Sequence, residues 1–207
     1  MTRLQSWFDT FPQASFVPLF ETQGELQVQT HQRGQEGNRR MLSRSPSFDA
    51  AMIELVEQGL TQESWRGLIY VMGTGERQAF TPLYVGKTER RGTLHQVSHN
   101  IANIRGNSGK FARWGYGLDY HMGDLSHALF GFEAYRRPTP KYRRWAEVLF
   151  TSVDPPVLRQ PIDVLLLSWF EDSQGPSGLL GSVASVEKEV IALAALAAGP
   201  LLNVDGR

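Results

Sequence analysis

Cysteine is absent from this chain of 207 residues, and its 21 basic residues equal its 21 acidic ones, so neither sign of charge is in excess. The lack of cysteine excludes disulfides and thiolate metal sites, and it is typical of cytoplasmic proteins. The lack of net charge means that any affinity for nucleic acid must come from a local basic patch and not from the field of the whole protein.

Long hydrophobic runs are also missing. The N-terminal segment has no uninterrupted apolar core of the length that a signal peptide needs. The longest apolar stretch, residues 190–202, is broken by Gly199-Pro200 and falls short of the roughly 20 residues of a membrane span. We therefore expect a cytoplasmic protein that has no membrane segment.

The chain does contain enough apolar material for a sizeable core, with 41% hydrophobic and 11% aromatic residues. Apolar residues recur at helical spacing in four segments, residues 48–56, 94–104, 142–150 and 182–198. Strand-like patterns cover residues 67–88 and 161–170. Because strands and helices mix without strict alternation, the sequence predicts an α+β fold.

The boundaries of the helices are predicted from their capping residues. Ser47 offers an N-cap and Gly59 a C-cap for the first helix. Thr139-Pro140 is a good start for the third helix, and Gly199-Pro200 ends the last one. The residues before position 47 lack a regular period, and we expect a small β-rich element followed by an exposed loop.

Residues 67–88 hold two short apolar runs, each built around a tyrosine, on either side of a turn-rich segment. The pattern predicts a β-hairpin in which Tyr70 pairs with Tyr84 and both rings lie on one face of the sheet. From periodicity alone, an ordinary aromatic pair on a half-buried sheet is the better interpretation, since aromatic residues are common on strands.

Residues 86–88 have the sequence Gly-Lys-Thr, which ends a phosphate-binding loop in many nucleotide-binding proteins. That loop requires a glycine five residues earlier, where this chain has Thr81, and the adjacent Pro82 offers no N–H group. The sequence therefore argues against a nucleotide site at this position.

The hairpin segment resembles the paired motifs of the GIY-YIG nuclease superfamily. Ile69-Tyr70 matches the end of the first motif, and residues 84–86 match the second with valine in place of isoleucine. Gly67 departs from the pattern because it lies one residue too far from Tyr70. The resemblance spans residues 67 to about 203. It implies a small, mainly antiparallel sheet flanked by helices, with a nuclease domain over residues 61–207 and an N-terminal extension, residues 1–60, with one helix.

The family places a glutamate on a later helix, followed by an apolar pair and by an asparagine beyond the helix end. Glu187 matches with apolar residues three and four positions on, and Asn203 matches the asparagine. Glu189 fits this pattern less well. A glutamate in the first turns of a helix more often complements the helix dipole at the surface, so the catalytic interpretation depends on the resemblance.

The arginine of the family is assigned from the segment at residues 109–126. It resembles a segment in an uncharacterised bacterial subgroup of GIY-YIG proteins, in which an Arg-Trp-Gly and a later histidine recur. Arg113 and His121 are the residues that match, and Arg105 is the alternative arginine.

The resemblance implies hydrolysis of DNA phosphodiester bonds with Mg²⁺ or Mn²⁺. Glu187 would be the metal ligand, because Mg²⁺ prefers oxygen ligands and usually keeps several waters. Arg113 would hold the phosphate oxygens with its planar guanidinium. Asn203 would hold the glutamate or a phosphate.

In the same interpretation, Tyr70 would orient or deprotonate the attacking water. A free phenol has a pKa of about 10, so a basic role requires a cationic neighbour that lowers it, and Lys87 and His121 are the candidates. Tyr84 would order this network.

One basic run and one histidine pair have competing interpretations. The run at residues 136–144 could follow DNA phosphates or form a solvated helix face, and the sequence does not decide between them; its basic residues are Arg136, Arg137, Lys141, Arg143 and Arg144. His95 and His99 have a spacing that can bind zinc on a helix, but no glutamate lies between them and they lie off the apolar face.

The competing function is a DNA-binding or protein-interaction module that has the same fold without the chemistry. The departure at Gly67 and the assignment of the arginine favour that alternative. The sequence leaves the DNA target and the oligomeric state open, a dimer included.

Overall fold

The computed structural model describes residues 2–92, 95–133 and 135–203. Within these ranges the helices are α1 (Arg3–Phe8), α2 (Pro46–Leu60), α3 (His121–Phe130), α4 (Pro140–Leu149) and α5 (Val183–Ala198). The strands are β1 (Ser15–Pro18), β2 (Thr22–Gln23), β3 (Gln27–Val28), β4 (Thr30–Arg33), β5 (Arg39–Leu42), β6 (Trp65–Thr74), β7 (Thr81–Glu89), β8 (Phe150–Val153), β9 (Pro156–Leu158) and β10 (Asp163–Phe170). The predicted α+β class is confirmed.

The main sheet has the strand order β1-β10-β6-β7 and is antiparallel throughout. Side chains alternate along β6, so Leu68 and Tyr70 enter the core on one side of the sheet, while Ile69 and Val71 enter the core on the other. The first core is covered by α2, α3 and α4, and the second by α1 and α5. Because both faces of β10 are buried, its sequence is a nearly continuous apolar run, as predicted for a buried strand.

The first 60 residues belong to the same packed structure. Ser15 on β1 pairs with Leu166 on β10, and α2 covers the first core. The prediction of one helix in this segment is wrong, because α1 precedes α2. Six residues are too few for a helical period to be visible in the sequence. The predicted boundary at residue 60 therefore does not separate two packing units.

Two smaller β-structures lie beside the main sheet. One is an antiparallel sheet of order β2-β3-β9-β8, and the other is the two-stranded β4–β5 hairpin. β5 is fixed to α3, because the backbone N–H of Leu42 donates to Ser126 Oγ at 3.0 Å. The N-terminal part of the chain is β-rich, as the sequence predicts. The expectation of an exposed loop after it is wrong, because that segment forms the β4–β5 hairpin, in which Met41 and Leu42 are buried.

Helix α2 begins two residues earlier than predicted. Ser45, not Ser47, is the N-cap: its Oγ accepts the N–H of Phe48 at 3.0 Å, and Pro46 occupies the first helical position. Gly59 is not the C-cap, since the helix continues to Leu60. The ring of Trp65 packs directly against Gly59, so that position has no room for a side chain.

The last two helices have the predicted boundaries. Pro140 begins α4 directly after Thr139, and α5 ends at Ala198, followed by Gly199 with a φ of 83°. This left-handed φ is favourable for glycine. Among the described residues, no helix combines the length and the apolar character that crossing a membrane requires.

The predicted helix at residues 94–104 is wrong. The described part of this segment forms bends and turns, and Leu94 lies outside the described residues. His95 and Asn103 have left-handed φ values of 58° and 50°, which a helix does not allow. Ile101 is nevertheless buried, so the apolar spacing reflects turns that anchor in the core. His95 and His99 therefore do not share a helix, and the geometry assumed for a zinc pair is lost.

Candidate active site

The β6–β7 hairpin places both motif tyrosines on one face, as predicted, but in a different register. Tyr70 lies opposite Gly86, and Tyr84 lies opposite Met72. The predicted direct pairing is therefore wrong by two residues. An even offset keeps side chains on the same face, and the two ring centroids are 6.3 Å apart. The tyrosines are diagonal neighbours.

Gly86 is required by the packing of Tyr70. A Cβ atom at position 86 would lie 2.5 Å from Tyr70 Cε2, which is closer than any real side chain tolerates. Gly67, which departs from the family pattern, is also constrained, since its φ is 143° and a Cβ atom there would collide with the Thr88 carbonyl. The glycines of this hairpin therefore allow close packing of the Tyr70 ring and of the neighbouring strand.

Three buried side chains form a hydrogen-bonded chain at the centre of the site. The Tyr70 hydroxyl lies 3.0 Å from His121 Nε2, and His121 Nδ1 lies 2.7 Å from the Tyr142 hydroxyl. His121 is the first residue of α3, and its ring stacks on Trp145 of α4 with centroids 5.4 Å apart. The chain thus links the main sheet to two helices.

Burial determines the ionisation of this chain. It raises the pKa of Tyr70 well above its ordinary value of 10.0 and lowers the pKa of His121 well below 6.5. The charges of Lys141 and Arg113 lower the pKa of His121 further. The pKa of Tyr142 is also raised, mainly by burial. All three groups are therefore neutral at pH 7.

The expectation that Lys87 or His121 lowers the pKa of Tyr70 is wrong, and the net effect of the surroundings is to raise it. His121 is neutral, and Lys87 forms an ion pair with Glu89 at 3.0 Å. The charge of Arg113 does lower the pKa of Tyr70, but the effect of burial is larger and opposite.

Tyr84 lies on the edge strand, and only 7% of its surface is exposed. Its ring packs against Trp145 at 4.8 Å and against His121 at 5.2 Å between centroids. The ammonium of Lys141 lies 4.9 Å from the centre of the Tyr84 ring, within the range of a cation–π interaction. Lys141, expected to bind nucleic acid as part of the basic run, is thus a neighbour of Tyr84 and Tyr142.

Arg113 lies in a short loop with a strained backbone. Phe111, Ala112 and Arg113 have φ values of 27°, 52° and 113°, which are rare for residues other than glycine. The buried guanidinium of Arg44 helps to hold this loop, because it donates to the Trp114 carbonyl at 2.9 Å and lies 4.1 Å from the centre of the Phe111 ring. Such strain often occurs at functional sites.

The two candidate arginines have different surroundings. Arg113 is half-buried, lies 5.4 Å from the centre of the Tyr120 ring, and its charge affects the pKa values of both Tyr70 and His121. Arg105 is exposed and forms a bidentate pair with Glu57, at 3.0 and 2.7 Å. Of the two arginines, Arg113 is therefore the one whose charge acts on Tyr70 and His121.

Glu187 lies on α5, which packs over the edge strand. Burial raises its pKa, the charge of Lys87 counteracts that effect, and the charge of Glu89 adds to it. The charge of Glu187 in turn raises the pKa of Tyr70. Glu189 points elsewhere, since a Cβ atom at Gly175 would lie 2.5 Å from its Oε2. Of the two glutamates, Glu187 is the one whose charge acts on Tyr70.

Asn203 contacts the strand and not the glutamate. Its Oδ1 accepts the N–H of Val85 at 3.0 Å, and its Nδ2 donates to the Val85 carbonyl at 2.7 Å. Both polar atoms of the side chain are therefore bound to the backbone between Tyr84 and Gly86. The expected contact with Glu187 or a phosphate is replaced by a clamp that fixes the edge strand.

The basic run at residues 136–144 does not form one surface. Arg136 pairs with Asp119 at 2.5 Å and with Asp124 at 3.5 Å, whereas Lys141 faces the tyrosines. Arg137 and Arg143 are exposed, and Arg144 is half-buried. Helical spacing predicts Tyr142 and Trp145 as residues of the buried face of α4. The hydroxyl of Tyr142 lies at a buried position of α4 and needs a hydrogen-bond partner there. This need was the one sign in the sequence of a polar residue, His121, inside the core.

We predict that His121 makes the stability of the protein depend on pH. Its pKa is depressed in the folded state, so below about pH 6.5 the unfolded chain binds a proton that the folded protein does not. The free energy of unfolding should therefore fall as the pH decreases from 6.5 to 5, by at most about 1.4 kcal/mol per pH unit from this group. Urea denaturation at pH 7.5, 6.5 and 5.0 measures the effect.

The matched variants are His121→Gln and His99→Gln, because His99 is exposed. We expect the first to lose this part of the pH dependence and the second to retain it. An identical pH slope in wild type and His121→Gln would contradict the assignment.

The predicted site residues come from separate segments of the chain and meet around the edge strand. Tyr70, Tyr84 and His121 are in direct contact, and the charges of Arg113 and Glu187 both act on Tyr70. The function of the protein must be inferred from these side chains. No family model, curated protein or solved structure matches this chain.

Proposed function

We propose that the protein is a metal-dependent endonuclease of the GIY-YIG type that hydrolyses phosphodiester bonds in DNA. The main support is the Tyr70–His121 hydrogen bond of 3.0 Å, together with the charges of Arg113 and Glu187 that act on Tyr70. Residues chosen from the resemblance in three separate segments of the sequence thereby act on one side chain, Tyr70. The alternative interpretation, in which Tyr70 and Tyr84 are an ordinary aromatic pair on a sheet, does not explain why the charges of an arginine and a glutamate act on Tyr70.

In this proposal Tyr70 and His121 act as a neutral pair. The attacking water transfers its proton to the Tyr70 oxygen while the Tyr70 proton passes to His121 Nε2. Moving both protons together avoids a buried tyrosinate and leaves His121 as an imidazolium, whose charge is balanced by the negative charge that the hydroxide brings to the phosphate. His121 returns this proton to solvent after the step. In the required tautomer, His121 Nδ1–H donates to the Tyr142 oxygen. The water oxygen bonds to phosphorus, and the departing oxygen takes a proton from solvent.

Arg113 is assigned to the phosphate. Its guanidinium carries two parallel N–H donors that match two non-bridging oxygens. The loop that carries it is held by buried contacts, so the side chain starts from a fixed position. Lys141 adds a second positive charge near the tyrosines.

Glu187 is a suitable ligand for the Mg²⁺ or Mn²⁺ that the proposal requires. Among residues 2–92, 95–133 and 135–203, no cluster of three or more histidines or carboxylates could enclose a metal. A single carboxylate suffices, because Mg²⁺ usually keeps several waters and takes phosphate oxygens as ligands. Burial disfavours the charged form of Glu187, and a cation would compensate for it. Bound there, the ion would supply charge stabilisation at the phosphate.

A non-catalytic DNA-binding module is the second candidate. The burial of Tyr70, of which 1% is exposed, and its raised pKa favour this alternative. Nicking of a supercoiled plasmid with Mg²⁺ or Mn²⁺, and with EDTA as control, separates the two functions. We expect metal-dependent nicks; binding without nicks at any metal concentration would support the module.

We predict that Arg113→Lys lowers the cleavage rate by at least about tenfold, or about 1.4 kcal/mol of transition-state stabilisation, because lysine keeps the charge but loses the bidentate donors. Single-turnover cleavage at saturating enzyme measures this effect without contributions from binding. Arg105→Lys is the matched control, since Arg105 is bound to Glu57. A slow Arg105 variant together with a normal Arg113 variant would reverse the assignment.

A further inference from the structure

The β4–β5 hairpin carries two arginines directly opposite each other. Arg33 pairs with Arg39 in the antiparallel register, so both side chains lie on the same face of the hairpin. Like charges in such a cross-strand pair destabilise a hairpin. The hairpin therefore carries an electrostatic repulsion between Arg33 and Arg39, which an anion bound against both side chains would reduce.

Internal acidic partners do not neutralise this pair. In the described part of the chain, neither Arg33 nor Arg39 forms a salt bridge, whereas Arg40 on the opposite face pairs with Asp154 at 2.9 Å. The guanidinium of Arg33 lies 4.8 Å from the centre of the Tyr116 ring, and that of Arg39 lies 5.8 Å from the centre of the Tyr135 ring. Stacking on these rings fixes the arginines without cancelling their charge.

The same contacts connect the arginine pair to the candidate active site. Tyr116 follows Arg113 by three residues, and its hydroxyl accepts the N–H of Arg44 at 3.2 Å. Tyr135 precedes Arg136 and Arg137, the exposed start of the basic run. The hairpin is also fixed to α3, which begins with His121. Contacts with Tyr116 and Tyr135 therefore link the arginine pair to the Arg113 loop and to the α3–α4 connection.

We propose that the hairpin face with Arg33 and Arg39 binds backbone phosphates of the nucleic-acid duplex that the site cleaves. This inference rests on the proposed function and gives residues 1–60 a role in it. Planar guanidiniums that are already stacked lose little entropy when they bind phosphate oxygens. The backbone of a duplex supplies a regular row of phosphates. Contact with these phosphates would reduce the electrostatic repulsion between Arg33 and Arg39.

The test compares two double variants that remove the same charge. Arg33→Gln/Arg39→Gln changes the proposed surface, and Arg105→Gln/Arg159→Gln changes two exposed arginines elsewhere. Affinity for a 30-base-pair duplex is measured by fluorescence anisotropy in EDTA, over a series of salt concentrations. We expect the first variant to bind at least about tenfold more weakly and to reduce the log–log salt slope by about two. The control should stay within about twofold of wild type.

Equal losses in both double variants would overturn the proposal, since only net charge would then matter. Plasmid nicking distinguishes its failure from that of the proposed function. If duplex binding depends on Arg33 and Arg39 but no nicking occurs, the proposed nuclease function is wrong and the proposed phosphate-binding surface is supported. Thermal melting checks the fold, and the single variant Arg33→Gln should melt no lower than wild type because it removes the like-charge pair. If it also binds as wild type does, the surface is wrong.

Discussion

Glu187→Gln should lower the single-turnover rate of Mg²⁺-dependent cleavage by at least about 1,000-fold, or about 4 kcal/mol. The substitution removes the only charge that the proposal assigns to the metal while it keeps the shape of the side chain. Duplex affinity in EDTA should remain within about twofold of wild type. Burial raises the pKa of Glu187, so its ionised form costs stability at pH 7, and the neutral variant should unfold at the same temperature or higher.

Glu189→Gln is the matched control, one half-turn further along α5. Its carboxylate lies against Gly175 and away from the tyrosines. We expect this variant to cleave at the wild-type rate. If Glu189→Gln were inactive and Glu187→Gln cleaved normally, the assignment of the metal ligand would be wrong.

Tyr70→Phe should lower the single-turnover rate by about 100-fold, the scale of a lost proton-transfer group. The phenylalanine ring can keep its packing over Gly86 and against Trp114, whose ring centroid lies 5.5 Å away, so the fold is retained. His121 Nε2 loses its partner in a buried site, which should reduce the free energy of unfolding by about 1–3 kcal/mol. Activity is therefore compared well below the melting temperature.

Tyr142→Phe provides the graded comparison. Tyr142 contacts His121 and not Tyr70, so its hydroxyl can influence the reaction only by positioning the imidazole. We expect a loss of about tenfold in rate, together with a changed NMR signal of the His121 ring. A Tyr70→Phe rate within about threefold of wild type would instead support the non-catalytic module.

Much of the fold was accessible from local patterns. Helical spacing and caps predicted α4 and α5, and the apolar run predicted β10, because these elements bury one continuous stripe or both faces. The same reasoning failed at residues 94–104. There the apolar positions anchor successive turns, and a left-handed residue such as Asn103 is invisible to a periodicity argument.

The candidate site was predictable as a set of residue types, and less so as a set of contacts. Motif spacing indicated Tyr70 and Tyr84, and the alternation of a strand placed them on one face even though the register differed by two. Motif spacing could not indicate that Asn203 is bound to Val85, because that contact joins residues 118 positions apart.

The sequence by itself determined that Tyr70 and Tyr84 face the same way and that α4 begins at Pro140 and α5 ends at Ala198. The first follows from the period of a strand, and the second from the residues that start and stop a helix. Only the tertiary structure decided that Tyr70 and His121 are neutral, that the charges of Arg113 and Glu187 act on Tyr70, and that Arg105 is bound to Glu57. The physical reason is that ionisation depends on burial and on distances between remote segments. Neither quantity exists until the sheet and its helices are packed together.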